Sequence, residues 1–217
     1  MNDLLDLLKK EKEAEQNKKF KVEHNSQLEQ ITRGFEKTCL WYDLIGHTKG
    51  MTNEEEFIYK LCSVNVPDNL DVDYINPNDF VSKEILPNLI NSRYIISQYI
   101  TALANYTKKE KVIINLTNTE NLIGNNWNLD RLCHDNKKEV IIIGDVGIWC
   151  GQDMIGGSLT INGEVCFNVG KNMKKGIINI NCNLGREIND LIDPDYPPKG
   201  EIYYNGKLIC KEGKIIE

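Results

Sequence analysis

The chain holds three imidazoles, His24, His47 and His134, and His134 directly follows Cys133. A thiol beside an imidazole suggests a nucleophile and its base, but neighbours in an extended strand point to opposite faces, so this adjacency does not make a dyad. Cys150, Cys166 and Cys182 recur at a spacing of sixteen, which invites a metal reading. Zinc ligands usually come in close pairs, however, and these thiols read as small buried hydrophobes. Gly144 to Gly157 follow an apolar run and raise the question of a phosphate cradle. There is no GxGxxG, and Gly163 to Lys171 (GEVCFNVGK) lacks both the P-loop spacing and its Ser/Thr. Asp145 and Glu164 recur at equivalent positions and read as an acidic strip of solvated turns. Catalytic residues are therefore unassigned, and the chain is expected to carry no cofactor and no metal.

The elements that must position these residues fall into two parts. The chain has 217 residues, with 26 basic and 32 acidic side chains and a formal net charge of −6. That balance argues against a phosphate-backbone binder, which needs a basic face. No apolar run approaches the ~18 residues of a membrane span, and Met1 to Lys10 lacks the pattern of a secretory signal. Seven scattered cysteines without a CxxC pair fit a reducing compartment, so the expectation is a cytoplasmic protein that binds neither nucleic acid nor membrane.

Residues 1–110 carry helical patterning. Leu4, Leu5, Leu7 and Leu8 form an apolar tip on a highly charged stretch, which predicts association with a protein partner or a second copy. Ser26-Gln27-Leu28-Glu29 is a capping box, after which Leu28, Ile31, Phe35, Cys39 and Tyr42 line one face until Gly46. A second box, Thr52 to Glu55, precedes Phe57, Ile58, Leu61 and Cys62, with Pro67 beyond. Asn76-Pro77 reads as a cap with a first-turn proline, opening a segment to about Asn105 with Ile85, Leu89, Ile96, Ile100 and Leu103 near one seam, interrupted by Pro87.

From Gly144 the chain reads GDVGIWCGQDMIGGSLTIN and from Gly163 GEVCFNVGKNMKKGIININ, a gapless repeat of period 19. It pairs Val146 with Val165, Gly151 with Gly170, Met154 with Met173, Gly157 with Gly176 and Ile161 with Ile180, while Asn183-Leu184-Gly185 begins a third copy. Stacked at ~4.8 Å, the equivalent side chains would share one interior. Val112 to Leu116 fits an earlier, irregular rung. Beyond the repeat, Asn205-Gly206 between two short runs signals a type I′ hairpin, and Lys211 to Glu217 offers a last strand.

The pattern Gly144-Asp145-Val146-Gly147, Gly151, Met154, Gly156-Gly157 and Ile161 to Gly163 resembles the GXGXG repeat of the C-terminal β-helix of the glutamate synthase large subunit and of the β-helical subunit of formylmethanofuran dehydrogenase. The resemblance covers residues 139–185. It implies an α+β protein: a helical region over 1–110, then over 111–217 a short right-handed single-stranded β-helix of roughly four turns with a C-terminal hairpin. In those families the repeat looks like scaffold rather than chemistry, so the implied function is a non-catalytic scaffold or assembly subunit. The competing expectation is a small cytoplasmic enzyme, hydrolase-like or a glutamate-synthase-related subunit, with a cleft where helices meet the repeat.

Overall fold

The computed structural model describes residues 26–42, 54–81, 92–119, 129, 131–182 and 188–216. The N-terminal apolar tip, His24, His47, Gly46, the start of the second capping box, Ile85, Pro87, Leu89 and the third repeat copy at Asn183 to Gly185 lie outside these residues.

Helix α1 (26–42) buries the face that its pattern marks, with Ile31, Phe35, Cys39 and Tyr42 in the core and Leu28 packed against it. Helix α2 (Glu54–Val64) adds Ile58, Leu61 and Cys62. At α3 (Pro77–Phe80) the Asn76 side chain accepts the Asn78 amide at 3.0 Å. The turn then stops at Val81, whose ψ of 116° is extended, so the seam from Asn76 is not one continuous helix. The second helical piece is α4 (Ser92–Tyr106), buried on every side from Ile95 to Ala104 rather than along one stripe. A helix apolar or small all round belongs at the centre of a core, and Tyr99 makes it one: its ring packs 5.4 Å from Phe35 and 5.8 Å from Phe80. Its hydroxyl donates to the Ile31 carbonyl at 2.9 Å.

The expected short β-helix within an α+β protein is corrected by the sheet. Strands β1 (Tyr74–Ile75), β2 (Lys111–Asn115), β3 (Glu139–Ile143), β4 (Ile155–Asn162), β5 (Lys175–Asn181), β6 (Glu201–Tyr204), β7 (Lys207–Lys211) and β8 (Lys214–Ile215) form one eight-stranded mixed sheet in chain order. The sheet is open, with helices beside it, an α/β sheet fold rather than a single-stranded solenoid. Two findings explain the difference. A strand from the stretch expected to be helical, β1, starts the sheet by pairing with β2, and the antiparallel β6–β7–β8 run continues the same sheet. A period of 19 thus sets the register between neighbouring strands without rolling the sheet closed.

Within the sheet the repeat pairs residue for residue: Glu139 with Ser158 with Ile177, and Ile161 with Ile180, all parallel. Alternation buries Val112, Ile114, Val140, Ile142, Leu159, Ile161, Ile178, Ile180 and Ile202 on one face, as period-2 side chains require. Bridges join Leu129 to Val146 and Val146 to Val165. Met154 and Met173 are fully buried. Gly157 has φ of +68°, and a Cβ there would strike the Lys138 backbone of the neighbouring layer, so only glycine fits. The hairpin forms as its Asn-Gly signal predicts, with φ of 48° at Asn205 and 79° at Gly206.

Candidate functional site

Between the strands, three five-residue turns stack. Each places every second residue in the left-handed region: Arg131, Cys133 and Asp135 in the first, Trp149, Gly151 and Asp153 in the second, Asn168, Gly170 and Asn172 in the third. Backbone bonds tie the layers, including Gly151 N–H to Leu132 O at 2.8 Å and Gly170 N–H to Cys150 O at 2.8 Å. Glycine, Asn and Asp take this conformation at little cost, whereas Arg131, Cys133 and Trp149 hold it against the usual preference.

That conformation builds a ladder of alternating cations and rings. The Arg131 guanidinium carbon lies 4.3 Å from the Trp149 ring centroid. From the third layer, Lys171 Nζ lies 5.7 Å from the Trp149 ring and 4.5 Å from that of Tyr196. Asp193 holds Lys171 at 3.4 Å, with the two side chains only 23% and 16% exposed. Burial lowers the Arg131 pKa from its ordinary value, and the Asp153 carboxylate works against that shift. The Trp149 indole nitrogen and the Gln152 side-chain oxygen are buried with no hydrogen-bond partner among the described residues. Leaving both unmet costs stability.

Beside the ladder runs an open groove of about 620 Å³. It is lined by Asp153 and Asn172 from the stacked turns, by Met173 and Lys174 just after them, and by Asp195, Tyr196, Lys199 and Glu212 from the C-terminal segments. Its size is that of a ligand-binding cleft. Tyr196 is 52% exposed, and Phe167, just before the third turn, is 46% exposed. Among the described residues Asp195, Lys199 and Glu212 form no ion pair within 4.0 Å, although the Glu212 charge helps to raise the Lys211 pKa.

The residues singled out from sequence are placed as follows. Cys133 and His134 sit in the first turn rather than a strand. Cys133 is fully buried, and burial pushes its thiol up to about 12. His134 lies among α2, α4 and the turn, with Nε2 2.7 Å from Gln98 Oε1, Nδ1 3.3 Å from Asp135 Oδ2, and its ring 4.4 Å from that of Tyr59. Asn105 Nδ2 donates to the Tyr59 hydroxyl at 3.1 Å and to the His134 carbonyl at 3.2 Å. Both ring nitrogens are thus engaged, and the imidazole reads as a tie between helix and turn. The hydrogen bond from His134 holds the Asp135 carboxyl below its ordinary value of 3.8, against a smaller opposing effect of burial.

Cys150 and Cys182 are buried and Cys166 is half-buried. Among the described residues no three His, Cys, Asp or Glu side chains gather as a metal site would require. Gly144 to Gly157 lead from β3 into β4 rather than into a helix. Asp145 and Glu164 do share one register, and their relation is structural: Asp145 Oδ1 accepts the Glu164 amide at 2.7 Å, as Asn162 Oδ1 accepts from Asn181 Nδ2 at 2.9 Å. Sequence reasoning missed the ladder and the groove. The available signal was a first turn copy, Cys133-His134-Asp135, lying eighteen rather than nineteen residues before Gly151-Gln152-Asp153. No helix of the described residues is long and apolar enough to cross a membrane. Comparison with protein-family models, curated proteins and solved structures found no match for this chain.

Proposed function

We propose that this chain is a non-catalytic docking protein, a scaffold or assembly subunit, that holds a protein partner in the groove beside the Arg131–Trp149–Lys171–Tyr196 ladder. The observation that carries this reading is the groove itself: a cleft lined by exposed charges of both signs and an exposed tyrosine, set beside turns locked layer to layer by backbone hydrogen bonds. Rigid aromatic and cationic side chains on a preorganised frame are the usual anchors of an interface. The GXGXG-type repeat supports the same reading, because in the families it resembles the repeat is scaffold. A net charge of −6 supports a protein partner or a second copy over nucleic acid, and seven cysteines with no disulfide between them support a cytoplasmic setting. The enzyme alternative places its cleft where helices meet the sheet, and there the His134 ring nitrogens are already engaged.

The test is site-specific crosslinking with the full chain. A photo-crosslinking residue in place of Tyr196 is expected to trap a discrete protein, while the same label in place of Val64, exposed on α2, traps none. Equal trapping at both positions overturns the proposal. So does turnover in a broad substrate screen that His134→Ala abolishes.

A further inference from the structure

We infer that Asn205 is a deamidation site gated by the fold: its carboxamide is clamped onto the strand beside it, and loss of that carboxamide as ammonia unfastens the C-terminal hairpin. The inference goes beyond the docking reading and does not depend on it.

An asparagine followed by glycine can react with its own backbone. The Gly206 nitrogen attacks Asn205 Cγ, the Cγ–Nδ2 bond breaks, and Nδ2 leaves as ammonia, taking the proton that the Gly206 amide gives up. The five-membered imide then adds water at one of its two carbonyls, giving aspartate, or isoaspartate in which the chain runs through Cγ. Water is gained and ammonia lost, with no change of oxidation state. Glycine permits the attack because no Cβ screens its nitrogen. The chain holds two such pairs, Asn162-Gly163 and Asn205-Gly206.

The fold treats the two pairs differently. At Gly163 a Cβ would strike the Gly144 carbonyl, and Gly144 N–H donates to Asn162 O at 3.0 Å, so that peptide is pressed between layers and cannot swing onto Asn162 Cγ. At Gly206 nothing lies within 4 Å of where a Cβ would stand, and Asn205 and Lys207 on either side are exposed. The brake there is the side chain. Asn205 Oδ1 accepts the Cys182 amide at 3.0 Å, and Nδ2 donates to the Cys182 carbonyl at 2.8 Å. With Asn205 N–H on Ile180 O at 2.8 Å, the carboxamide extends the β5–β6 ladder as a further peptide group would. Cγ is free to react only when both side-chain bonds open.

The product cannot restore the clamp. A carboxylate has no donor for the Cys182 carbonyl and sets an acceptor against it where Nδ2 stood. Isoaspartate also lengthens a turn that is tuned to two residues. At Asn162 the same conversion is harmless, because Oδ1 there accepts from Asn181 Nδ2 and a carboxylate accepts equally well.

The experiment ages the full chain in mildly alkaline heavy-oxygen water and locates the new carboxyl by peptide mapping. In the folded protein Asn205 is expected to react before Asn162, and at least about tenfold more slowly than in urea, the span of two hydrogen bonds that must open first. In urea, where both pairs are released, the two should react at similar rates. Asn162 reacting first in the folded protein, or Asn205 reacting equally fast with and without urea, overturns the inference. Variants read the consequence. Asn205→Asp should lower the urea midpoint, and its deficit against the parent protein should shrink as pH falls through about 4, where a protonated carboxyl regains a donor for the Cys182 carbonyl. Asn205→Gly keeps a compatible turn but lacks the clamp, so its deficit should stay constant over that range. Asn162→Asp should leave the midpoint in place. A deficit in Asn205→Asp that ignores pH, or an equal deficit in Asn162→Asp, also overturns it.

Discussion

The Arg131 guanidinium stacks 4.3 Å from the Trp149 ring because both residues occupy the same left-handed position of successive turns, with φ of 56° and 60°. A tryptophan there bears about 1–2 kcal/mol of backbone strain. Trp149→Gly loses the ring but sheds the strain, whereas Trp149→Ala loses the ring and keeps it. The glycine protein is therefore expected to be the more stable by about 1 kcal/mol in urea unfolding, the reverse of the order in regular structure. An alanine variant as stable as the glycine one would show that the turn carries no strain.

Gly34 marks the closest approach of α1 to its neighbours. A Cβ there would strike the Asn65 carbonyl and the Tyr99 hydroxyl. Gly34→Ala should cost about 2–3 kcal/mol by overpacking, despite the better helix propensity of alanine. Tyr99→Phe removes one of the two obstacles and its own bond to Ile31, so the double variant should lose less than the sum of the singles. Strict additivity in chemical denaturation would count against this packing.

The seven thiols should differ sharply in reactivity. Cys166 alone is half-exposed, while burial pushes Cys39 and Cys133 up to about 12 and raises Cys62 and Cys150 well above the ordinary thiol value. Thiolate is the reactive form. With the native protein at pH 8, alkylation followed by mass spectrometry should modify Cys166 first and Cys133 and Cys150 last, at the rate of unfolding. Early modification of Cys133 would contradict its burial.

Acid sensitivity should trace partly to Asp135. Its carboxyl, held down chiefly by the His134 hydrogen bond, titrates lower in the folded chain than in the unfolded one. The unfolded state then binds the proton more readily, so the pair's contribution is complete above the ordinary value of 3.8 and is lost as pH falls through the depressed folded value. Asp135→Asn should flatten the stability profile on that acid limb. Identical acid slopes for the two proteins would remove Asp135 from the account.

Much of this architecture was readable where one residue type answers to one local demand. The stripe from Ile31 to Tyr42 buries as its spacing requires, Asn76-Pro77 caps a helix, Asn205-Gly206 turns the hairpin, and the nineteen-residue offset reappears as strand register. What escaped depends on relations between distant segments. Val81 ends α3 after one turn, α4 is enclosed by elements far away in sequence, and β1 joins the sheet from among helices. The same repeat period serves an open sheet and a closed coil equally well, so closure was not legible in it. The ladder hid behind Arg131 and Trp149, residue types that do not announce a left-handed turn.

Strand order in the sheet equals chain order, and this shapes how the protein is made. Ser158 finds Glu139 and Ile177 finds Ser158 each across nineteen residues, while Tyr74 and Ile113 must close thirty-nine. Each of the short pairings needs only the strand laid down immediately before it. During synthesis the emerging chain therefore always has a finished template to add to, and growth proceeds by accretion from β2 onward without waiting for the C-terminus. The first closure, which must enclose α4, spans the longest of these separations and is expected to be the slow step.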